Sequence, residues 1–127
     1  MNKMKYTLLI LFIIPVYLFP QTNSKKVFLD KNSPLSEKSI TAIATDATGL
    51  NWIGTLEGLI CYNGKRWVTL NTENSKLPSN KILCIEIENN TKYIGTTEGL
   101  LVIKNNDWEV FTTTNSNLPS NKIRNIK

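Results

Sequence analysis

Apolar residues in this chain come in short runs separated by polar turns, and the runs return at a fixed interval. The segment Trp52-Ile53-Gly54-Thr55-Leu56-Glu57-Gly58-Leu59 reappears as Tyr93-Ile94-Gly95-Thr96-Thr97-Glu98-Gly99-Leu100, with Gly54 and Gly95 standing 41 positions apart. The same interval carries Trp67 onto Trp108, Asn74-Ser75 onto Asn115-Ser116, and Leu77-Pro78-Ser79-Asn80-Lys81-Ile82 onto Leu118-Pro119-Ser120-Asn121-Lys122-Ile123. Within each copy the pattern has the period of a strand. In the second copy Leu83, Ile85 and Ile87 alternate with Glu86 and Glu88, the mark of a strand covered on one face. Strands are predicted at 40–45, 52–55, 59–62 and 67–70, with counterparts between 82 and 111 and a further strand opening at Ile123.

Turn residues fall between these runs. Asp46-Ala47-Thr48-Gly49-Leu50-Asn51 reverses the chain, and Glu88-Asn89-Asn90-Thr91-Lys92 does so with one residue fewer. Gly58 and Gly99 each follow a Glu at a tight turn that needs a left-handed residue. Asn63-Gly64 predicts a two-residue hairpin, matched by Asn105-Asn106.

A repeat of this length made of four short strands is the size of a propeller blade, whose sheet buries its faces only against a neighbour. The fold class expected is all-β, a partial β-propeller of about two four-stranded antiparallel blades, 40–70 and 82–111, with a third blade begun at 123. Phe28 precedes Leu35 by the spacing that separates Leu70 from Leu77 and Phe111 from Leu118, so Lys26-Val27-Phe28-Leu29 reads as a last-strand equivalent. Closed propellers typically hold about 4–8 blades. The sequence is therefore expected to be the N-terminal piece of a longer protein or a truncated frame, aggregation-prone when expressed alone, with the remaining blades as its packing partners.

Composition changes this picture little. At 127 residues, 41% apolar and 20% charged, the chain suits one small domain. Its net charge of +5 is scattered along the chain, which excludes a nucleic-acid footprint. The start adds an address. Met1-Asn2-Lys3-Met4-Lys5 is followed by an apolar run of 14 residues, 6–19, and a polar exit, the plan of a signal peptide over 1–24. A spanning helix needs about 20 apolar residues, so export is favoured over an uncleaved anchor. The mature part, 25–127, is expected in the periplasm, secreted, or on the cell surface.

Candidate chemistry is sparse. The chain has no His, so no Ser-His-Asp or Cys-His set can form within it, and two cysteines alone make half a metal site. Cys61 aligns with Val102 and Cys84 with Ala42, so both read as small apolar residues rather than a disulfide. Glu57 and Glu98 recur in one turn and read as acceptors for backbone N–H groups before paired catalytic carboxylates. Thr55 and Thr96 read as sheet hydrogen-bonding positions, and Trp52, Tyr93, Trp67 and Trp108 as filling between sheets before stacking a sugar. The connectors 71–81 and 112–122 are rich in Asn, Ser and Thr, which suit sugar hydroxyls but equally suit turns. Residues that differ between the copies, Glu73 against Thr114 and Lys76 against Asn117, are the candidates for ligand specificity. No catalytic residue, metal or cofactor is expected.

The Leu-Pro-Ser-Asn-x-Ile run followed by Trp-Ile-Gly-Thr-x-Glu-Gly-Leu resembles the two-component regulator propeller repeat. The likeness covers 35–59, 77–100 and the opening of a copy from 118, with Ser36-Glu37-Lys38-Ser39 departing from the pattern. The resemblance implies an exported, non-catalytic sensor region of a hybrid two-component system, with an oligosaccharide ligand. A homodimer of the full protein is a further expectation. The same repeats occur in exported proteins without a kinase, so a scaffold or protein-interaction propeller is the alternative, and a propeller lyase a third.

Overall fold

The computed structural model describes residues 33–35 and 38–127. The expected leader and the strand near Phe28 lie outside the described residues. The chain divides into two units, Met1–Ser36 and Glu37–Lys127. In the first, the Leu35 N–H donates to Ser33 Oγ at 3.1 Å. The same small turn recurs as Leu77 to Ser75 at 3.3 Å and Leu118 to Ser116 at 3.4 Å, so the repeat's connector geometry is already present before the first complete sheet.

The second unit is all-β, two antiparallel four-stranded sheets of propeller-blade type, with no helix among the described residues. The first sheet runs β1 (Ile40–Thr45), β2 (Asn51–Thr55), β3 (Gly58–Tyr62) and β4 (Trp67–Leu70), each strand pairing with the next. The second repeats that order with β5 (Ile82–Glu88), β6 (Thr91–Thr96), β7 (Leu100–Lys104) and β8 (Asp107–Phe111). Thr55 Oγ1 donates to the Gly58 carbonyl at 2.8 Å and accepts the Glu57 N–H at 3.1 Å, closing the β2–β3 turn. Thr96 makes the same two bonds, at 2.9 and 3.1 Å, with Gly99 and Glu98. The turns need left-handed backbone at their last residue, and Gly58 (φ 139°) and Gly99 (φ 143°) supply it.

Strand alternation sends one face of the first sheet and one face of the second into a common core. Trp52, Leu59 and Cys61 meet Ile85, Ile94, Leu101 and Ile103, with Leu77 from the connector and Ile82 between them. Burying each of the large aliphatic side chains contributes roughly 1.5–3 kcal/mol, which makes this interface the main source of the unit's stability. Ile82 rather than Leu83 enters that core. Both first strands carry a register irregularity, between Ile40 and Ala42 and between Ile82 and Cys84. The bulge turns the odd spacing of Ile82 and Ile85 into residues on one face and leaves Leu83 half-buried. The predicted alternation therefore holds for Ile85 and Ile87 and fails at Leu83.

Two further differences are local. The β3–β4 loop spans four residues, with Tyr62 paired to Trp67, because Asn63 Oδ1 accepts the N–H groups of Lys65 (3.0 Å) and Arg66 (2.8 Å) and sits before the turn instead of at its centre. In the second sheet Asn105 and Asn106 are the two central residues, both with positive φ. Residues 123–126 form no strand, there being no partner strand for them among the described residues. Ile123 nonetheless lies on the second sheet, its N–H donating to the Thr96 carbonyl at 2.9 Å.

Candidate functional site

The connectors from one sheet to the next are built by their own side chains. In 71–81, the Asn71 N–H donates to Asn74 Oδ1 (2.8 Å), Thr72 N–H to Asn80 Oδ1 (2.8 Å), Asn74 Nδ2 to the Thr69 carbonyl (3.0 Å) and Ser75 Oγ to the Asn71 carbonyl (2.5 Å). The next connector repeats all four. Thr112 N–H donates to Asn115 Oδ1 (2.7 Å), Thr113 N–H to Asn121 Oδ1 (2.8 Å), Asn115 Nδ2 to the Val110 carbonyl (2.9 Å) and Ser116 Oγ to the Thr112 carbonyl (2.5 Å). The Asn and Ser residues shared by both copies are thus engaged in holding the loop, which is the role their composition also suited.

The residues that differ between the copies are placed otherwise. Glu73, Lys76, Thr114 and Asn117 are all exposed. Lys76 Nζ donates to the Trp108 carbonyl at 3.0 Å, reaching from the first connector to the outer strand of the second sheet. Thr114 Oγ1 bonds Thr112 Oγ1 at 2.8 Å within its own loop. Asn117 borders an apolar cleft of about 440 Å³ on the outer face of the second sheet, beside Tyr93, Leu100, Val102, Phe111 and Leu118. No hydrogen bond or ion pair joins any of the four to another among the described residues.

The two turn glutamates also part company with the paired-carboxylate picture. Glu57 pairs with Lys38, and both Glu57 and Glu98 are exposed. The acceptor for the turn's N–H groups is the neighbouring Thr hydroxyl, since a buried oxygen on the strand lies closer to those donors than a carboxylate facing water. Of the four aromatic residues, Trp52 and Trp108 pack between the sheets, Trp67 stacks on Tyr62 with ring centroids 4.0 Å apart, and Tyr93 faces outward on the second sheet.

At the opposite end of the sheets lies a cluster that sequence reasoning alone does not single out. Asp46 is buried, 7% exposed, and its carboxylate accepts from Thr48 N–H (2.9 Å), Thr48 Oγ1 (2.5 Å), Leu50 N–H (3.2 Å) and Trp52 Nε1 (3.1 Å). Burial acts to raise this carboxyl, but the hydrogen bonds from Thr48 and Trp52 outweigh it and hold it at about 2. Lys92 comes across from the second sheet, 3.6 Å from Asp46 Oδ2, 3.1 Å from Asn90 Oδ1 and 5.7 Å above the Trp52 ring. The Asp46 carboxylate and the Trp52 indole on the first sheet and the Lys92 ammonium on the second therefore tie the two sheets together at this end. One signal was present in the sequence: the copy with Asp46 has Trp52, while the other has Glu88 and Tyr93, so the donor and its acceptor change together. Asp46, Trp52 and Lys92 border a cleft of about 360 Å³ that Asn90, Asn105, Asn106 and Trp108 also line, with Thr48, Leu50 and Ile103.

Both thiols are free. Burial, helped by the nearby Asp46 charge, pushes the Cys61 thiol up to about 12. Burial also raises Cys84, whose Sγ lies 3.5 Å from the Ile123 carbonyl. No group of three or more His, Cys, Asp or Glu side chains among the described residues could hold a metal ion. No protein-family model matches the chain, and no curated protein matches it.

Proposed function

We propose that this chain is part of an exported propeller that senses glycan fragments for a two-component regulatory system. The carrying observation is the division within the connectors. Residues common to both copies are engaged in shaping the loops, whereas the exposed pairs Glu73/Thr114 and Lys76/Asn117 differ between equivalent places and make no bond common to both copies. A framework that repeats while its outward residues vary suits a binding surface more than a reaction centre, because catalysis needs a converging set of groups. The resemblance of the Leu-Pro-Ser-Asn and Trp-Ile-Gly-Thr runs to the regulator repeat supplies the sensing role and the ligand class. Calorimetry of the full exported region against an oligosaccharide panel tests the reading: saturable binding supports it, and uniform absence of heat removes it.

A scaffold or protein-interaction role is the second reading. It rests on the same resemblance, since the repeat also occurs in exported proteins without a kinase.

A further inference from the structure

The cleft between the two sheets at the Asp46 end has the size of a small-molecule site, about 360 Å³ against a usual range of roughly 300–1,000 Å³. Its walls come from both sheets, Asp46 and Trp52 from the first and Asn90, Lys92, Asn105, Asn106 and Trp108 from the second. We infer that it is an additional binding site, one that takes a single neutral pyranose ring. The inference rests on the sensing reading for its biological setting, and it lies at the other end of the blades from the connector loops.

Three features of the cleft select that chemistry. First, its one carboxylate and one ammonium lie 3.6 Å apart and cancel, so the site has no net charge with which to hold an ion. Second, Trp108 presents a half-buried indole, an apolar platform for the C–H face of a sugar ring. Third, Asn90, Asn105 and Asn106 are exposed around that indole, and neither the Asn105 nor the Asn106 carboxamide bonds to another protein group among the described residues. A carboxamide offers a donor and an acceptor side by side, the pair that adjacent ring hydroxyls require.

The turns do not need these carboxamides. Asn90, Asn105 and Asn106 have φ of 67°, 49° and 64°, a region where glycine sits with less strain. The first sheet has Gly64 at the place equivalent to Asn105. Amide side chains therefore stand at turn positions that glycine would fill at least as well, and all three border the same cleft.

This property makes the test clean, since Asn105→Gly and Asn106→Gly remove the ligand groups while easing the backbone. The full exported region is titrated with methyl glycosides of glucose, galactose, mannose and xylose, with glucuronate as the charged control and with an oligosaccharide panel, followed by indole fluorescence and calorimetry. The expected result is saturable binding of a neutral methyl glycoside, weakened about tenfold or more in the Asn105→Gly, Asn106→Gly double variant, whose melting temperature is unchanged or higher. Glucuronate is expected to bind at least about tenfold more weakly than the neutral sugar. Binding that survives the double variant but is lost in Lys76→Ala, Asn117→Ala overturns this site and leaves the sensing reading in place. Binding of oligosaccharides without any monosaccharide, unaffected by the double variant, does the same. No binding by any member overturns both.

Discussion

Gly54 and Ile82 meet across the two sheets: a methyl group built on Gly54 would stand 2.6 Å from Ile82 Cγ2. The glycine in the middle of β2 is the seat for the residue that opens β5. Gly95 is the seat for Ile123 in the same way, its added carbon falling 2.8 Å from the Ile123 carbonyl and 2.9 Å from Ile123 Cγ2, and against Cys84 Sγ as well. The glycine of the repeated Trp/Tyr-Ile-Gly-Thr phrase is thus a close-packing position, against the other sheet at Gly54 and against Cys84 and the following connector at Gly95, with no positive φ to explain it.

Gly54→Ala should destabilise the chain by about 1–3 kcal/mol through overpacking against a fully buried isoleucine. Ile82→Ala should cost about 2–5 kcal/mol as a cavity. Because the two side chains compete for one space, the double variant should lose less than the sum. Denaturant melts of all four proteins measure the coupling, and strict additivity would refute the contact.

Gly58→Ala and Gly99→Ala test a different requirement. Each position combines left-handed backbone with a carbonyl in the way, Leu70 O at 2.6 Å from the added carbon on Gly58 and Phe111 O at 2.8 Å on Gly99. Backbone cannot rotate aside as a side chain can, so each substitution should cost roughly 2 kcal/mol or more, above the ~1 kcal/mol expected from φ alone. A loss no larger than that of Gly49→Ala, where nothing lies within 4 Å of the added carbon, would contradict this.

Much of this was legible in advance and some was not. The strand positions followed from the period of two and the blade boundaries from the 41-residue interval, because both are properties of local sequence. The bulge at Leu83 was hidden, since a bulge changes which face a residue occupies without changing its character. The seat formed by Gly54 was hidden for another reason. A glycine needed by a residue 28 positions away looks, in sequence, like any glycine in a strand. In the candidate site the shared Asn and Ser of the connectors had been open to two roles, and their recurring bonds to the loop backbone assign them the structural one. The cluster around Asp46 was missed because its Lys comes from the other copy.

The Asp46 carboxyl makes stability depend on acid. Its folded value of about 2 lies below its ordinary value of 3.8, so the unfolded chain takes up the proton first as pH falls. The stabilisation, of order 2 kcal/mol, is complete above about pH 4 and is lost as pH falls toward 2. Asp46→Asn should be less stable than the parent by about that amount at neutral pH, and the two melting curves should converge between pH 4 and 2. A constant gap across that range would exclude the mechanism.

Thiol chemistry should separate the two cysteines. With the Cys61 thiol pushed up to about 12, roughly one molecule in ten thousand carries its thiolate at pH 8, and the side chain is buried as well. Cys84 is raised too but is half-buried, so it should react with Ellman's reagent first, and Cys61 only on unfolding. Mass spectrometry of partly labelled protein reads the order directly, and early labelling at Cys61 would show that the core opens.

The seat at Gly54 also sets a timetable for the protein as it is made. A chain that emerges N-terminus first exposes β2 before Ile82, which follows 28 residues behind Gly54, so the first sheet appears with its central notch vacant and must wait for the following copy to supply the plug. Each blade is in this sense finished by its successor, and synthesis from the N-terminus becomes a zipper in which every tooth is locked by the next one to emerge.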